Sequence, residues 1–131
     1  MNEVCEFLKA AGTYYLATTE NGEPRVRPFG TVDLWNGKLT IQTGLKKAVA
    51  QQMLANPRVE ICAMTPDGRW IRVTADAKLV DSVEAAAHML DAYPSLKAMY
   101  TPGDGNTAVF ALENGTAVIS SFTAAPVTVT F

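Results

Sequence analysis

Histidine is nearly missing from this chain: His88 is the only one in 131 residues. That argues against a His-based nucleophile triad or a multi-histidine metal centre. The two cysteines, Cys5 and Cys62, are far apart and lack the short spacings of metal ligands, so reduced thiols are expected rather than a bridge or a zinc site. No apolar run approaches the length that spans a bilayer, and no basic-then-apolar leader opens the sequence. A cytoplasmic protein with no membrane partner is therefore the expectation. Excess positive charge is also lacking. A net charge of −2 is not the overall basic balance expected of a nucleic-acid binder. The length, with 48% apolar and 18% charged residues, suits one globular domain over residues 1–131.

The positive charge that is present is unevenly placed. Residues 25–72 hold eight of the eleven Lys/Arg and only three acids, Asp33, Glu60 and Asp67, so this window stands at +5 and the remainder at −7. A confined basic patch on an acidic chain suits one small anion. Its centre is RVRPFGTVDLWNGKLTIQTGLKK, residues 25–47. Strand alternation puts Arg25, Arg27 and Phe29 on one face and Val26, Pro28 and Gly30 on the other. Lys46 and Lys47 then open a helix, where unpaired N–H groups and the dipole favour a phosphate or carboxylate. Two guanidiniums and a ring beside an anion site suit a flat ligand with a phosphate tail.

Along the chain, Val4, Phe7, Leu8 and Ala11 recur at helical spacing and Gly12 is a fitting stop, so residues 2–11 read as an amphipathic helix. TYYLATT (13–19) reads as a strand, Glu20–Glu23 as a hairpin turn, and the next strand runs from Pro24 to about residue 34. Asn36-Gly37 marks a second hairpin, and Lys38 to Gln42 a third strand. Leu45, Val49, Met53 and Leu54 form the apolar stripe of a helix to Ala55, with Lys46, Lys47, Ala50 and Gln51 facing away. Strands follow at 58–64 and 69–80. In the second, Ile71, Val73, Ala75, Ala77 and Leu79 face inward, and Trp70, Arg72, Thr74, Asp76 and Lys78 face out. Asp81–Glu84 resembles a capping box opening a helix to about Ala92, and Pro94 starts a short helix to Tyr100. TAVFAL (107–112) and TAVISSF (116–122) read as two strands joined by a turn at Glu113–Gly115, and VTVTF as an edge strand or a segment docked on a partner. Six or seven antiparallel strands with inserted helices imply a mainly β chain closed, or nearly so, into a small packed barrel, with any ligand outside it. Arg25, Arg27, Trp70 and Arg72 are expected to point outward, and an exposed Trp70 suggests a second chain covering it.

Taken in order, strand–RxRPF–hairpin–strand–TxxKK–helix–NPRVEIC–turn–WxRV–helix–PxLKxxY resembles the pyridoxamine 5′-phosphate oxidase-like family of FMN-binding split β-barrels, over about Tyr14 to Phe122. The similarity is greatest to its short bacterial general-stress and nitroimidazole-reductase-like members. The resemblance implies a homodimer with FMN at the interface, contacted by both subunits. By position, Arg25 and Arg27, with the backbone of Pro28 and Phe29, would border the isoalloxazine and ribityl groups. Gln42 and Thr43 would lie beside the ribityl–phosphate, and Lys46 and Lys47 would hold the phosphate. Gln51 would reach a polar group of the flavin, and Trp70 and Arg72 would flank the ring or come from the other subunit. The Arg and His pair of the oxidase's substrate motif is absent, because no Lys, Arg or His follows Lys97. Pyridoxamine phosphate is thus not the expected substrate. The implied activity is reduction of a small organic acceptor with electrons from NAD(P)H. The competing expectation is a carrier or sensor that holds flavin, haem or a deazaflavin without turnover. No side chain stands out as catalytic and no metal is implied.

Overall fold

The computed structural model describes residues 1–131. In chain order it contains α1 (Asn2–Ala11), β1 (Tyr14–Glu20), β2 (Glu23–Phe29), β3 (Asp33–Trp35), β4 (Lys38–Gly44), α2 (Ala48–Ala55), β5 (Arg58–Met64) and β6 (Trp70–Val80). There follow α3 (Val83–Ala92), a 3₁₀ turn at Pro94–Ala98, β7 (Thr107–Ser120) and β8 (Val127–Thr130). The apolar stripe of α1 is buried as its spacing predicts, and Gly12 ends the helix at φ 78°, its N–H donating to the carbonyls of Leu8 and Lys9. Asn21-Gly22 and Asn36-Gly37 both sit at positive φ, the geometry of a two-residue turn that matches strand twist.

All strand pairs are antiparallel, in the order β2-β1-β5-β6-β7-β4-β3, with β8 added to β7. The sheet's two end strands, β2 and β3, are separated in sequence only by residues 30–32. Consecutive Cα atoms lie about 3.8 Å apart, so these edges are within roughly 15 Å of each other and the sheet must roll nearly shut. Inside it lie Leu16, Ile41, Ile61, Ile71, Val73, Phe110 and Leu112, with the small Ala63, Ala75 and Ala77 and the apolar faces of α1 and α2. Outside, α3 covers only the half built by β4 and β7, through Ala85, Ala86 and Met89 against Val109. The other half of the outer face carries no helix.

Five readings of the sequence need correction. The strand from Pro24 to residue 34 is two strands on opposite edges. Thr31 makes the crossing: its carbonyl accepts from Tyr14 Oη at 2.5 Å, and its hydroxyl bonds both the N–H and the C=O of Gln42. Residues 107–120 are one strand, not a hairpin, and with the split of the earlier strand the chain has eight in all. Between Thr74 and Asp76 β6 advances two residues while β7 advances three, from Thr116 to Glu113. Asn114 (φ 50°) and Gly115 thus form a bulge where a turn was expected. Leu79, read as inward, is 43% exposed beyond the end of the core. In α2, Ala50 is buried and Leu54 exposed, the reverse of their expected sides. The α3 cap is simpler than a full box: Ser82 Oγ accepts from Ala85 N–H and also bonds Glu84.

Gly115 has a second role. Its backbone pairs with Phe131 in both directions, and a Cβ at this position would lie 2.2 Å from the Phe131 ring. Gly115→Ala is therefore expected to lower stability by about 1–3 kcal/mol, the usual cost of overpacking. It should also loosen β8, visible as earlier thermal unfolding and faster proteolysis after Ser120.

Candidate functional site

The register of β1 with β2 decides where the two arginines go. Leu16 pairs with Arg27, Thr18 with Arg25 and Tyr14 with Phe29, so Arg25, Arg27 and Phe29 lie on the core side of the sheet. This corrects the expectation that they point outward beside Trp70 and Arg72. Those two lie on the opposite, outer face, in the rows Tyr15–Cys62–Arg72 and Met64–Trp70. Edge strand β2 is only half covered on its core side, so polar side chains can stay partly wet there.

Arg27 is held firmly. Its guanidinium donates to Gln52 Oε1 at 2.6 Å, to Thr18 Oγ1 at 2.7 Å and to the Leu16 carbonyl at 3.2 Å. Thr18 Oγ1 in turn donates to Gln52 Oε1 at 2.5 Å. Burial, then the charge of Arg25, lower the Arg27 pKa, although an arginine remains charged at any working pH. The sequence reading missed Gln52 and chose Gln51. The available signal was register: Gln52 lies three residues after Val49, on the buried side of α2, where a polar side chain must find a partner. Gln51 is exposed, donates to the Leu45 carbonyl at 2.8 Å and borders the hollow of Glu20, Asn21 and Gln52. Arg25 lies 3.5 Å from Glu20.

Five of the expected site residues do meet. Pro28, Phe29, Gln42, Thr43 and Lys47 line one groove of about 160 Å³, joined by Leu96, Met99 and Tyr100 from the 3₁₀ segment and its end. Leu96 and Tyr100 belong to the PxLKxxY segment of the family pattern, but only the fold brings the three residues beside Lys47. Gln42 is buried and its Nε2 donates to the Thr43 carbonyl at 2.9 Å, so it braces the wall. Gly44 allows a close approach: a Cβ there would lie 3.1 Å from both Tyr100 and Asn106.

The helix mouth is built differently from expectation. The helix begins at Ala48 with Lys47 as its N-cap, and the amides just before it are already used. Leu45 N–H donates to the Asn106 carbonyl at 2.7 Å, Lys46 N–H to Asn106 Oδ1 at 3.0 Å and Lys47 N–H to the Gly44 carbonyl at 3.0 Å. The amides of Ala48, Val49 and Ala50 have no acceptor within the helix, and of these three residues only Ala48 is exposed to an anion. Asn106 is in turn fixed by Asp104, whose carboxylate accepts from the backbone of Thr107, Thr101 and Asn106 and from Thr107 Oγ1.

Those backbone bonds, chiefly that from Thr107, hold the Asp104 pKa far below the ordinary carboxylate range. A depressed folded-state pKa means the loop's support is complete above the unfolded value near ~4 and is lost as pH falls through the folded value. Lys46 should therefore be held fully at neutral pH and released only in strong acid. In Asp104→Ala, the Lys46 amide is expected to exchange several-fold faster at pH 7, with the core amides of β4 unchanged.

Seven of the eleven Lys/Arg lie within 4.0 Å of a carboxylate: Lys9, Arg25, Lys38, Arg58, Arg69, Lys78 and Lys97. The four without an acid partner are Arg27, Lys46, Lys47 and Arg72, all of them expected site residues. Lys46 and Lys47 are both exposed at the mouth of α2, and Lys47 lines the groove. Elsewhere, His88 Nε2 lies 3.0 Å from Asp33 Oδ2 without the alignment of a hydrogen bond, and its ring packs on Trp35. It has no contact with the groove, in keeping with a packing role.

The bare half of the outer face exposes several large apolar side chains beside the charged Glu60 and Arg72. Tyr15 is 53% exposed, Met64 60%, Val26 68% and Phe122 90%, and Phe122 packs against Trp70 with ring centroids 5.0 Å apart. Pro28, on the same face as Tyr15, borders the groove.

Comparison with known proteins accords with this architecture. The family described as Pyridoxamine 5′-phosphate oxidase matches residues 1–118. A solved structure of a NimC/NimA family protein from Clostridium acetobutylicum is 43% identical over 100% of this chain and 92% of its own, with a TM-score of 0.97. General stress protein 26 from Bacillus anthracis shares the fold at 17% identity, TM-score 0.77, over 98% of this chain and 97% of its own. A heme binding protein from Mycobacterium smegmatis does so at 17% identity and TM-score 0.72, over 92% of this chain and 53% of its own. No functionally curated protein matches. The chain belongs to the pyridoxamine 5′-phosphate oxidase-like split-barrel family, whose members typically bind a flavin.

Proposed function

We propose that this chain is an FMN-binding oxidoreductase that works as a homodimer and reduces a small organic acceptor with electrons from NAD(P)H. The observation that carries this is the meeting of Phe29, Gln42, Thr43 and Lys47 in one groove, with the charge of Lys46 and Lys47 uncompensated at its helix end. The residues suit FMN. Phe29 offers an apolar surface to a ring, and two free ammoniums at the start of α2, beside the exposed Ala48, suit a phosphate dianion.

The groove's size argues for a second chain. Ligand cavities usually enclose roughly 300–1,000 Å³, and 160 Å³ holds only part of a flavin nucleotide. The apolar outer face bordering the groove at Pro28 suits a copy of itself. Symmetric pairing there would let Trp70 and Arg72 serve the neighbour's groove, which they do not reach in their own chain.

FMN, when bound, supplies the electron transfer itself. The chain's part is to hold and enclose it. Lys46 and Lys47 anchor the phosphate, and Gln52 and Thr18 keep Arg27 fixed beside Phe29, so a positive charge stands ready without reorganisation. Leu96, Met99 and Tyr100 form an apolar wall that limits water at the open side. Lys47 is the only charged residue lining the groove and no cation follows Lys97, so a phosphorylated substrate would lack a second partner.

The visible spectrum of the purified protein tests the cofactor, and NAD(P)H consumption with an added quinone or nitroaromatic tests the activity. A flavin spectrum with steady turnover is expected. A haem Soret band would overturn the cofactor, and flavin without turnover would leave a carrier.

A further inference from the structure

A second cavity, of about 350 Å³, lies on the helix-covered half of the sheet and shares no residue with the flavin groove. Trp35, Leu79 and Val80 give it apolar walls, and Lys38, Lys78 and Glu113 form its rim. The two ammoniums reach Glu113 from either side, Lys38 in close contact and Lys78 at 3.4 Å. The hydrogen bond from Lys38 outweighs partial burial and holds the Glu113 pKa low, so the three groups carry +1 at neutral pH.

We propose that this cavity is a ligand site for a small planar molecule bearing a single carboxylate. The volume lies within the range of known ligand cavities, unlike that of the flavin groove alone. One net positive charge is neutralised by one carboxylate, which can take a hydrogen bond from each lysine, since an ammonium has donors beyond the one that Glu113 uses. Glu113 meanwhile keeps both long side chains at the rim, reducing the entropy lost on binding. Trp35 supplies the flat surface that a ring needs, and Val80 an apolar contact beside it. The cavity lies away from the bare apolar face, so self-association there leaves it open.

The test is calorimetric titration of the full chain, as purified, with 2-naphthoate, and with the neutral 2-naphthylmethanol as the comparison. Naphthoate should bind several-fold more tightly than the alcohol, and added salt should narrow the gap. Lys38→Met/Lys78→Met takes the site from +1 to −1 and should weaken naphthoate about tenfold while sparing the alcohol. Lys78→Met alone, at a residue 60% exposed and so safe for folding, should cost roughly threefold. Lys47→Ala should change nothing. No binding, equal affinity for acid and alcohol, or loss in Lys47→Ala instead of the Lys78 variants would overturn the proposal.

Discussion

Lys46→Ala/Lys47→Ala is expected to strip the protein of its flavin while leaving it folded. Both side chains are exposed and neither is within 4.0 Å of an acid. Removing them breaks no ion pair, and the local backbone stays tied to Asn106 and Gly44. A hydrogen bond to a charged group contributes about 1.5–3 kcal/mol when shielded and less when wet, so each lysine should be worth roughly tenfold in affinity. The effect should be electrostatic in origin: FMN affinity of the unaltered chain falls with added salt, and that of the double variant much less. Riboflavin, which lacks the phosphate, should bind both proteins alike. Equal FMN affinity in both would remove the phosphate from the mouth of α2.

Tyr15→Glu should separate two chains that Trp70 and Phe122 help to join. Tyr15 is half exposed on the outer face, in one row with Cys62 and Arg72. Within a single chain it lies half exposed between Pro28 and Cys62, outside the core, so a glutamate there costs the monomer less than a core change would. At the centre of an apolar contact, the same charge is buried against a hydrophobic surface. Loss of a central aromatic commonly costs 2 kcal/mol or more, so association should weaken by at least about thirtyfold. Flavin affinity should fall with it, because half of the cavity is lost. A variant that sediments as a dimer and retains FMN would show that the subunits meet elsewhere.

The sequence revealed the local pieces well and the long-range ones unevenly. Asn21-Gly22 and Asn36-Gly37 turn as read, since a two-residue turn depends on its own residues. Asn114-Gly115 carries the same signature and makes a bulge, because the pairing strand β6 runs straight past it, and that is decided by residues 70–80. Alternation placed Arg25, Arg27 and Phe29 on a common face, but could not say which face. An edge strand tolerates arginine on its core side when a helix residue such as Gln52 receives it. Pro28, Phe29, Gln42, Thr43 and Lys47 lie near one another in sequence, and their grouping was legible through the family resemblance. Leu96, Met99, Tyr100 and Asn106 reach the same place only through folding. Gln51 bonds the Leu45 carbonyl and borders a different hollow, and Trp70 and Arg72 belong to the groove only if a second chain brings them there.

Native mass spectrometry of the purified protein tests most directly whether FMN sits where two copies of this barrel meet. The expected species is two chains carrying two FMN, with flavin and dimer lost together in Tyr15→Glu and flavin alone lost in Lys46→Ala/Lys47→Ala. A monomer that retains a full complement of FMN, or a dimer that takes up none when FMN is supplied, would contradict it.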